Sequence, residues 1–171
     1  MAEATGEPGA ERVWPALSAA ERDVFLSESR VAVLSVERPN GAPLSLPIWY
    51  AYFGGRFWLD TIPESLHGRL MRAAGRATIC VQKEEEPQRY VTAAGPVCFL
   101  TDAELRADGW TERGVADRIA SRYLSGEDLE RWIDAARPAF TLQIAVLTAE
   151  TVWAAAVSPV AEILSEVESG S

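Results

Sequence analysis

Three side chains that can contact an anion lie close together in the segment LDTIPESLHGRL, residues 59–70. Ser65 precedes a predicted helix, His67 is the only histidine of the chain, and Arg69 follows two residues later. A helix N-terminus has free backbone amides and the positive end of the helix dipole, and both favour an anion. These three residues are therefore a candidate anion site. The alternative is a solvated helix in which Ser65 is only the N-cap and the basic residues face water.

Strands joined by tight turns are predicted to position this segment. Asn40-Gly41 and Gly54-Gly55 are turn signals, and they divide residues 31–62 into a three-stranded antiparallel meander. A helix of about three turns then follows Ser65, with Leu66, Leu70 and Met71 on its buried stripe. Ser18 and Glu21 have the spacing of a capping box and predict a short helix near the start of the chain.

The second half of the chain contains further strands and a helical insertion. RATICVQKEE and RYVTAAGPVCFLT are predicted strands, the second with a bulge at Gly95-Pro96. Apolar residues at helical spacing predict helices over residues 102–136, and AFTLQIAVLTAETVW returns to a strand pattern. Six predicted strands joined mainly by hairpins indicate a mainly β fold with helices (α+β), a compact antiparallel barrel.

Composition and charge limit the classes of partner. The chain has 171 residues and a net charge of -9. Nucleic acids and anionic membranes bind basic surfaces, so neither is an expected partner. No apolar run reaches the roughly 20 residues of a membrane span, and no signal peptide is apparent, so a cytoplasmic location is expected. We predict one domain over residues 13–157, between a disordered tail (1–12) and a loose acidic tail (158–171).

Other reactive residues form weaker patterns. Cys80 and Cys98 lie in apolar strands and are expected to be buried, with no metal cluster. A nucleophilic pair of Ser65 and His67 is not favoured, because residues two apart on a helix point away from each other and no nucleophile elbow surrounds Ser65. Among the tryptophans, Trp49, Trp58 and Trp153 are candidate pocket walls. Three others are assigned to packing: Trp14, Trp110 and Trp132.

The order of these segments resembles a known family. VAVLSVERPNGAPLSLPIWYAYFGGRFWLDTIPESLHGRLMRAAGRATICVQ, followed by PQRYVTAAGPV, is similar to the split β-barrel flavoproteins related to pyridoxamine 5'-phosphate oxidase. The similarity is strongest to the branch that includes users of the deazaflavin coenzyme F-420. It covers residues 28–100 in good register and extends more weakly to residue 153.

The resemblance implies a homodimer of six-stranded split β-barrels with FMN or F-420 bound at the subunit interface. The second and third strands would contact the ring, and the loop and helix after the third strand would bind the phosphate. The residues that the resemblance assigns to cofactor binding, with neighbouring pocket residues, are Leu46, Pro47, Ile48, Trp49, Asp60, Thr61, Ser65, His67, Arg69, Arg89 and Trp153.

Three positions differ from the family pattern. His67 replaces a phosphate-binding lysine, Asp60 replaces a frequent serine or threonine, and Leu70 occupies a frequently polar position. A carboxylate near a phosphate would lower affinity unless a cation compensates it. Histidine titrates near neutral pH, so a phosphate contact through His67 would depend on pH.

The resemblance implies an oxidoreductase that transfers hydride equivalents to or from a small organic substrate. The cofactor would supply the redox chemistry, and no side chain stands out as a catalytic acid or base. One alternative is a non-catalytic flavin or F-420 carrier with the same fold. Another is a haem-binding or haem-degrading protein on a similar barrel, with His67 as the histidine ligand.

Overall fold

The computed structural model describes residues 16–136, 141–158 and Val167. Within these residues the strands are β1 (Ala32–Val36), β2 (Leu44–Ile48), β3 (Ala51–Phe53), β4 (Arg56–Thr61), β5 (Arg76–Lys83), β6 (Gln88–Phe99), β7 (Gln143–Thr148) and β8 (Thr151–Val157). The helices are α1 (Ala19–Ser27), α2 (Leu66–Ala74), α3 (Asp102–Ala107), α4 (Glu112–Ala120) and α5 (Gly126–Arg131). Helix α5 continues into a π-helical segment, Trp132–Ala136. The predicted class, a mainly antiparallel barrel with helices, is confirmed.

The strand order leaves a seam in the curved sheet. The order is β2-β1-β5-β6-β7-β4-β3, and β8 pairs with the first part of β6. Strands β2 and β3 follow each other in sequence but lie at opposite ends of this order, so the chain crosses between the two edges at Trp49 and Tyr50. Strand β3 pairs with the first half of β4, Arg56–Trp58. The remaining half of β4 therefore borders the seam.

Alternation along the strands produces two hydrophobic cores. Phe57 and Leu59 of β4 point into the curved sheet, where they join Phe25 of α1 in the first core. Trp58 points to the opposite face and joins a second core with residues of α3, α4 and β7. Burial of a large apolar side chain stabilises a fold by about 1.5–3 kcal/mol. The second core packs the helical insertion against the outside of β4 and β7.

Arg122 and Tyr123, which follow α4, connect the helical insertion to the segment between α1 and β3 by hydrogen bonds. Arg122 donates hydrogen bonds to the carbonyl oxygens of Leu26 and Ser27, at 3.1 and 3.2 Å. The Tyr123 hydroxyl accepts a hydrogen bond from the Tyr50 backbone amide at 3.2 Å and lies 2.9 Å from the Arg30 carbonyl oxygen. Burial raises the pKa of the Tyr123 hydroxyl further above neutral pH, and the protonated hydroxyl can donate to the Arg30 carbonyl oxygen.

The structure divides two of the predicted strands. LSLPIWYAYF forms β2 and β3 because the Tyr50 backbone bonds to Tyr123 instead of a neighbouring strand. Both predicted hairpin pairings are present, β1 with β2 and β3 with β4. The predicted continuous middle strand is wrong, because β2 and β3 lie at opposite ends of the strand order. The last predicted strand forms β7 and β8, and the Glu150 amide between them donates to the Ala94 carbonyl oxygen at 2.9 Å. The barrel consequently has more strands than predicted.

Two further predictions about local structure are wrong. The β5–β6 ladder continues through Gly95 and Pro96, so the predicted bulge is wrong. Gly95 is required instead by a close approach, because a Cβ atom there would lie 1.9 Å from the Thr148 carbonyl oxygen. Cys98 is exposed, contrary to prediction, because it points away from the core.

Helix α2 confirms its predicted cap but not all of its predicted buried stripe. Ser65 is the N-cap, and the Ser18–Glu21 capping box is present in α1. Leu66 is 48% exposed, while Met71 is buried. The predicted tails lie almost wholly outside the described residues. No helix among the described residues is long and apolar enough to cross a membrane.

Candidate functional site

A cavity of about 410 Å³ lies at the seam of the sheet. One wall is β2 with the residue that follows it: Leu46, Pro47, Ile48 and Trp49. Pro47 has no backbone N–H, and it is tolerated because β2 is an edge strand. Trp49 is held from behind by Tyr123, with stacked rings whose centroids are 4.9 Å apart. This wall is apolar and fixed in position.

The opposite wall contains the polar groups of the cavity. It is formed by Asp60, Thr61 and Ile62 at the end of β4, together with His67 in the first turn of α2. Gly68 allows the loop before α2 to lie directly on this turn, because a Cβ atom there would be 2.5 Å from the Ile62 carbonyl oxygen. The tight return of the chain places His67 beside the end of β4.

Helix α4 and the π-helical segment complete the cavity. Ala116, Ile119 and Ala120 face it from α4, and Trp132 faces it from the π-helical segment. The two alanines leave the space that larger side chains would fill. The Trp132 ring lies 5.9 Å from the Trp49 ring between centroids, so the two indoles meet at one end of the cavity. The lining is mainly apolar, which is typical of small-molecule sites.

Thr61, Ser65 and His67 form a hydrogen-bonded group, which we call the cap cluster. The His67 Nε2 atom is 2.8 Å from the Thr61 hydroxyl and 3.3 Å from the Ser65 hydroxyl. Ser65 donates its one hydroxyl hydrogen to the Ile62 carbonyl oxygen at 2.6 Å and accepts from the Gly68 amide at 3.1 Å. Ser65 can therefore only accept from His67, whereas Thr61 can donate to it or accept from it.

The contact between Ser65 and His67 differs from the sequence expectation. Two residues within a helix would point apart, but Ser65 is the N-cap and has extended backbone angles, with φ -63° and ψ 158°. Its hydroxyl therefore turns back over the first turn of α2. Burial lowers the pKa of His67 below 6.5, which favours the neutral imidazole in the free protein. The pH dependence of a phosphate contact through His67 stays a prediction.

The structure brings most of the predicted cofactor residues to this cavity. Those that line it are Leu46, Pro47, Ile48, Trp49, Asp60, Thr61 and His67. Ser65 lies behind His67 in the cap cluster. Arg69 is exposed, and its guanidinium donates to the Glu64 carbonyl oxygen at 2.9 Å. Arg89 and Trp153 lie on β6 and β8, away from the cavity lining. Cofactor binding by each of these residues stays a prediction.

Several lining residues were not predicted from the sequence. Trp132 was assigned to packing, but it lines the cavity, whereas Trp58 is fully buried in the second core and does not. The helical spacing of Ala116, Ile119 and Ala120 indicates one buried stripe on α4. That spacing does not show which part of the sheet the stripe covers. No sequence pattern identified Tyr123 as the residue that stacks on Trp49.

The sequence and fold identify the class of protein. Residues 18–156 match the family described as pyridoxamine 5'-phosphate oxidase. Since this match covers most of the chain and the fold is a split β-barrel, the chain belongs to that family. No curated protein is significantly similar to it in sequence.

Solved structures of proteins with different described functions share the fold. An FAD-binding protein from Mesorhizobium loti is 21% identical, with a TM-score of 0.60, and the similarity covers 84% of this chain and 97% of the other. An F420 reductase is 18% identical, with a TM-score of 0.53 and coverage of 76% and 94%. A haem-binding protein from Mycobacterium smegmatis is 24% identical, with a TM-score of 0.54 and coverage of 80% and 54%. At these identities the similarity establishes the fold alone.

The lowered pKa of His67 can be measured directly because the chain has one histidine. We expect its NMR titration midpoint in the folded protein to lie below 6.5. An unfolded chain binds the proton first as the pH falls, so the free energy of unfolding should decrease below about pH 6.5 and level off below the folded pKa. His67→Gln should remove that part of the pH dependence. A midpoint at or above 6.5 would contradict the burial of the imidazole.

Proposed function

We propose that the protein binds a flavin-type cofactor, FMN or coenzyme F-420, with its ring in the seam cavity. We also propose that it acts as an oxidoreductase that transfers hydride equivalents to or from a small organic substrate. One observation supports this most strongly. The residues that the family pattern assigns to ring contact come from β2 and from the end of β4, and both groups line one cavity. Their convergence depends on the chain crossing and not on sequence proximity.

The cavity suits a planar ring better than a flexible polar ligand. Its volume of about 410 Å³ lies within the range of ligand sites. Leu46, Ile48 and Ile119 offer apolar contact to the ring, and the β2 edge offers backbone groups to polar ring atoms. When bound, the ring supplies the redox chemistry, and the protein orients it and excludes water. Asp60 and His67 are the titratable groups of the described lining.

A haem site is the second candidate named from the sequence. An imidazole that ligates iron needs a free nitrogen lone pair directed at the metal. The Nε2 atom of His67 is 2.8 Å from the Thr61 hydroxyl, so ligation through Nε2 would have to replace this contact. Visible absorbance of the protein after incubation with haem, FMN or F-420 separates these candidates, because the three chromophores have distinct spectra.

We also propose that the protein is a homodimer, on the evidence of an uncharged sheet face. One row of outward residues crosses five strands: Pro47, Val33, Cys80, Thr92 and Trp153. The next row is Ser45, Ser35, Thr78, Ala94 and Thr151. Neither row contains a charged residue, although 24% of the chain is charged. Trp153 and Val33 are 53% and 39% exposed, which favours a partner surface.

The uncharged sheet face is continuous with the cavity. Pro47 belongs to the face and also lines the cavity, and Val31 beside it is 49% exposed and lines the cavity as well. A second copy on this face would cover the cavity opening and contribute to the site. A two-fold dimer satisfies this geometry because the same face serves both copies.

Ring binding is predicted to depend on the space beside α4. Ala116→Phe places a phenyl ring in the cavity, and we expect it to weaken binding of riboflavin or F-420 by at least about tenfold. Ala103→Phe makes the same change on an exposed position of α3 and should bind as the wild type does. Flavin fluorescence and visible absorbance measure both, with circular dichroism to confirm folding. Equal binding by the two variants, or no binding of any flavin-type ring by the wild type, would contradict the proposed function.

Dimer formation is predicted to depend on the uncharged sheet face. Light scattering should give twice the chain mass of 18.6 kDa for the wild type. Val33→Glu places a charge in the face and should give monomers, because an unpaired buried charge is costly. Val24→Glu is the matched control, since Val24 is 63% exposed on α1, outside the face. A monomeric wild type, or a Val33→Glu dimer, would show that this face is not the interface.

A further inference from the structure

The contacts of the cap cluster determine which nitrogen of His67 carries its hydrogen. Ser65 donates its one hydroxyl hydrogen to the Ile62 carbonyl oxygen at 2.6 Å, so its oxygen presents lone pairs to His67 Nε2. This contact is attractive only when Nε2 carries the hydrogen, which it then shares between Ser65 at 3.3 Å and Thr61 at 2.8 Å. In the neutral imidazole the free lone pair is consequently on the other nitrogen, Nδ1.

The same contacts turn Nδ1 away from the cap cluster. The two nitrogens of an imidazole point in widely divergent directions, and Nε2 is the one directed at Thr61 and Ser65. Within the described part of the chain Nδ1 makes no hydrogen bond, and it is not an enclosed atom. His67 is partly buried and lines the seam cavity. The neutral imidazole, which burial favours, therefore offers a hydrogen-bond acceptor to a ligand.

Flavin-type ligands have a group that suits this acceptor. FMN and F-420 both have a ribityl chain on the ring, and its hydroxyl groups are hydrogen-bond donors. The β2 wall and α4 offer apolar contact to the ring, and His67 belongs to the opposite, polar wall.

We infer that His67 Nδ1 accepts a hydrogen bond from a hydroxyl group of the ligand's side chain, so that the cavity selects ligands with a polyol chain on the ring. The inference rests on the proposed function, because it concerns the same cavity. It differs from the sequence expectation, in which His67 contacts the phosphate. In this role His67 recognises a neutral part of the ligand, and the cap cluster holds the imidazole in position.

NMR spectroscopy of the free protein tests the assignment of the hydrogen to Nε2. Long-range ¹H–¹⁵N correlations distinguish the two neutral forms of an imidazole, and the chain has one histidine. The spectrum is recorded at about pH 8, above the ordinary histidine pKa of about 6.5. We expect the form with hydrogen on Nε2. A spectrum of the form with hydrogen on Nδ1 would overturn the inference.

Ligand pairs that differ only in the side chain test the contact itself. Riboflavin has the ribityl chain, lumiflavin has a methyl group in its place, and their 5-deaza analogues form a second pair. In whichever series binds, we expect the ribityl ligand to bind about threefold to tenfold more tightly, as for one hydrogen bond. The ¹⁵N resonance of Nδ1 should move to lower frequency with the ribityl ligand only, because accepting a hydrogen bond shields this nitrogen. Equal dissociation constants, or the same Nδ1 response to both ligands, would overturn the inference.

Substitution of His67 tests whether Nδ1 causes the preference. His67→Gln keeps an amide N–H near the position of Nε2 and has no group in the place of Nδ1. We expect it to reduce the preference for the ribityl ligand to less than about twofold. Leu66→Gln is the matched control, since Leu66 is 48% exposed and outside the cavity lining, and it should keep the wild-type ratio. A wild-type ratio in His67→Gln, or an equal loss in both variants, would overturn the assignment to His67.

The outcomes also separate this inference from the proposed function. If no flavin-type ring binds to the wild type, the proposed function and the inference both fail. If the rings bind equally well with either side chain, or if Nδ1 carries the hydrogen, only the inference fails. The wild-type spectra decide the matter even if His67→Gln does not fold.

Discussion

The site depends on the way the chain crosses from β2 to β3. Trp49 and Tyr50 leave one edge of the curved sheet and enter the other, so β2 and the end of β4 face each other without pairing. Tyr123 holds this crossing by accepting a hydrogen bond from the Tyr50 amide and by stacking on Trp49. A continuous strand through these residues would close the seam. The cavity therefore exists because one side chain of the helical insertion takes the place of a strand neighbour.

The same crossing determines the chemical character of the cavity. It places an apolar strand edge on one side and the polar end of β4 on the other. The cap cluster then uses up much of the hydrogen-bonding capacity of that polar side, with His67 Nε2 2.8 Å from the Thr61 hydroxyl. A site of this kind offers shape and apolar contact to a ring.

Local sequence signals predicted the elements well and their pairing less well. The Ser65 cap, the Ser18–Glu21 capping box and the helical period of α4 follow from short-range rules, and all three are present. The division of LSLPIWYAYF could not be predicted, because Tyr123, far away in the sequence, causes it. The resemblance assigned Thr61 to the cofactor site and His67 to a phosphate-binding position, but their mutual contact depends on the tight loop before α2. Trp132 was missed for a related reason, since its position depends on packing of the whole insertion.

The structure of the protein crystallised with riboflavin tests the central claim most directly. The account predicts the ring inside the seam, between the β2 wall and α4, with Pro47 and Ile119 in contact. A ring bound elsewhere, with the seam cavity filled by side chains or water alone, would contradict the account.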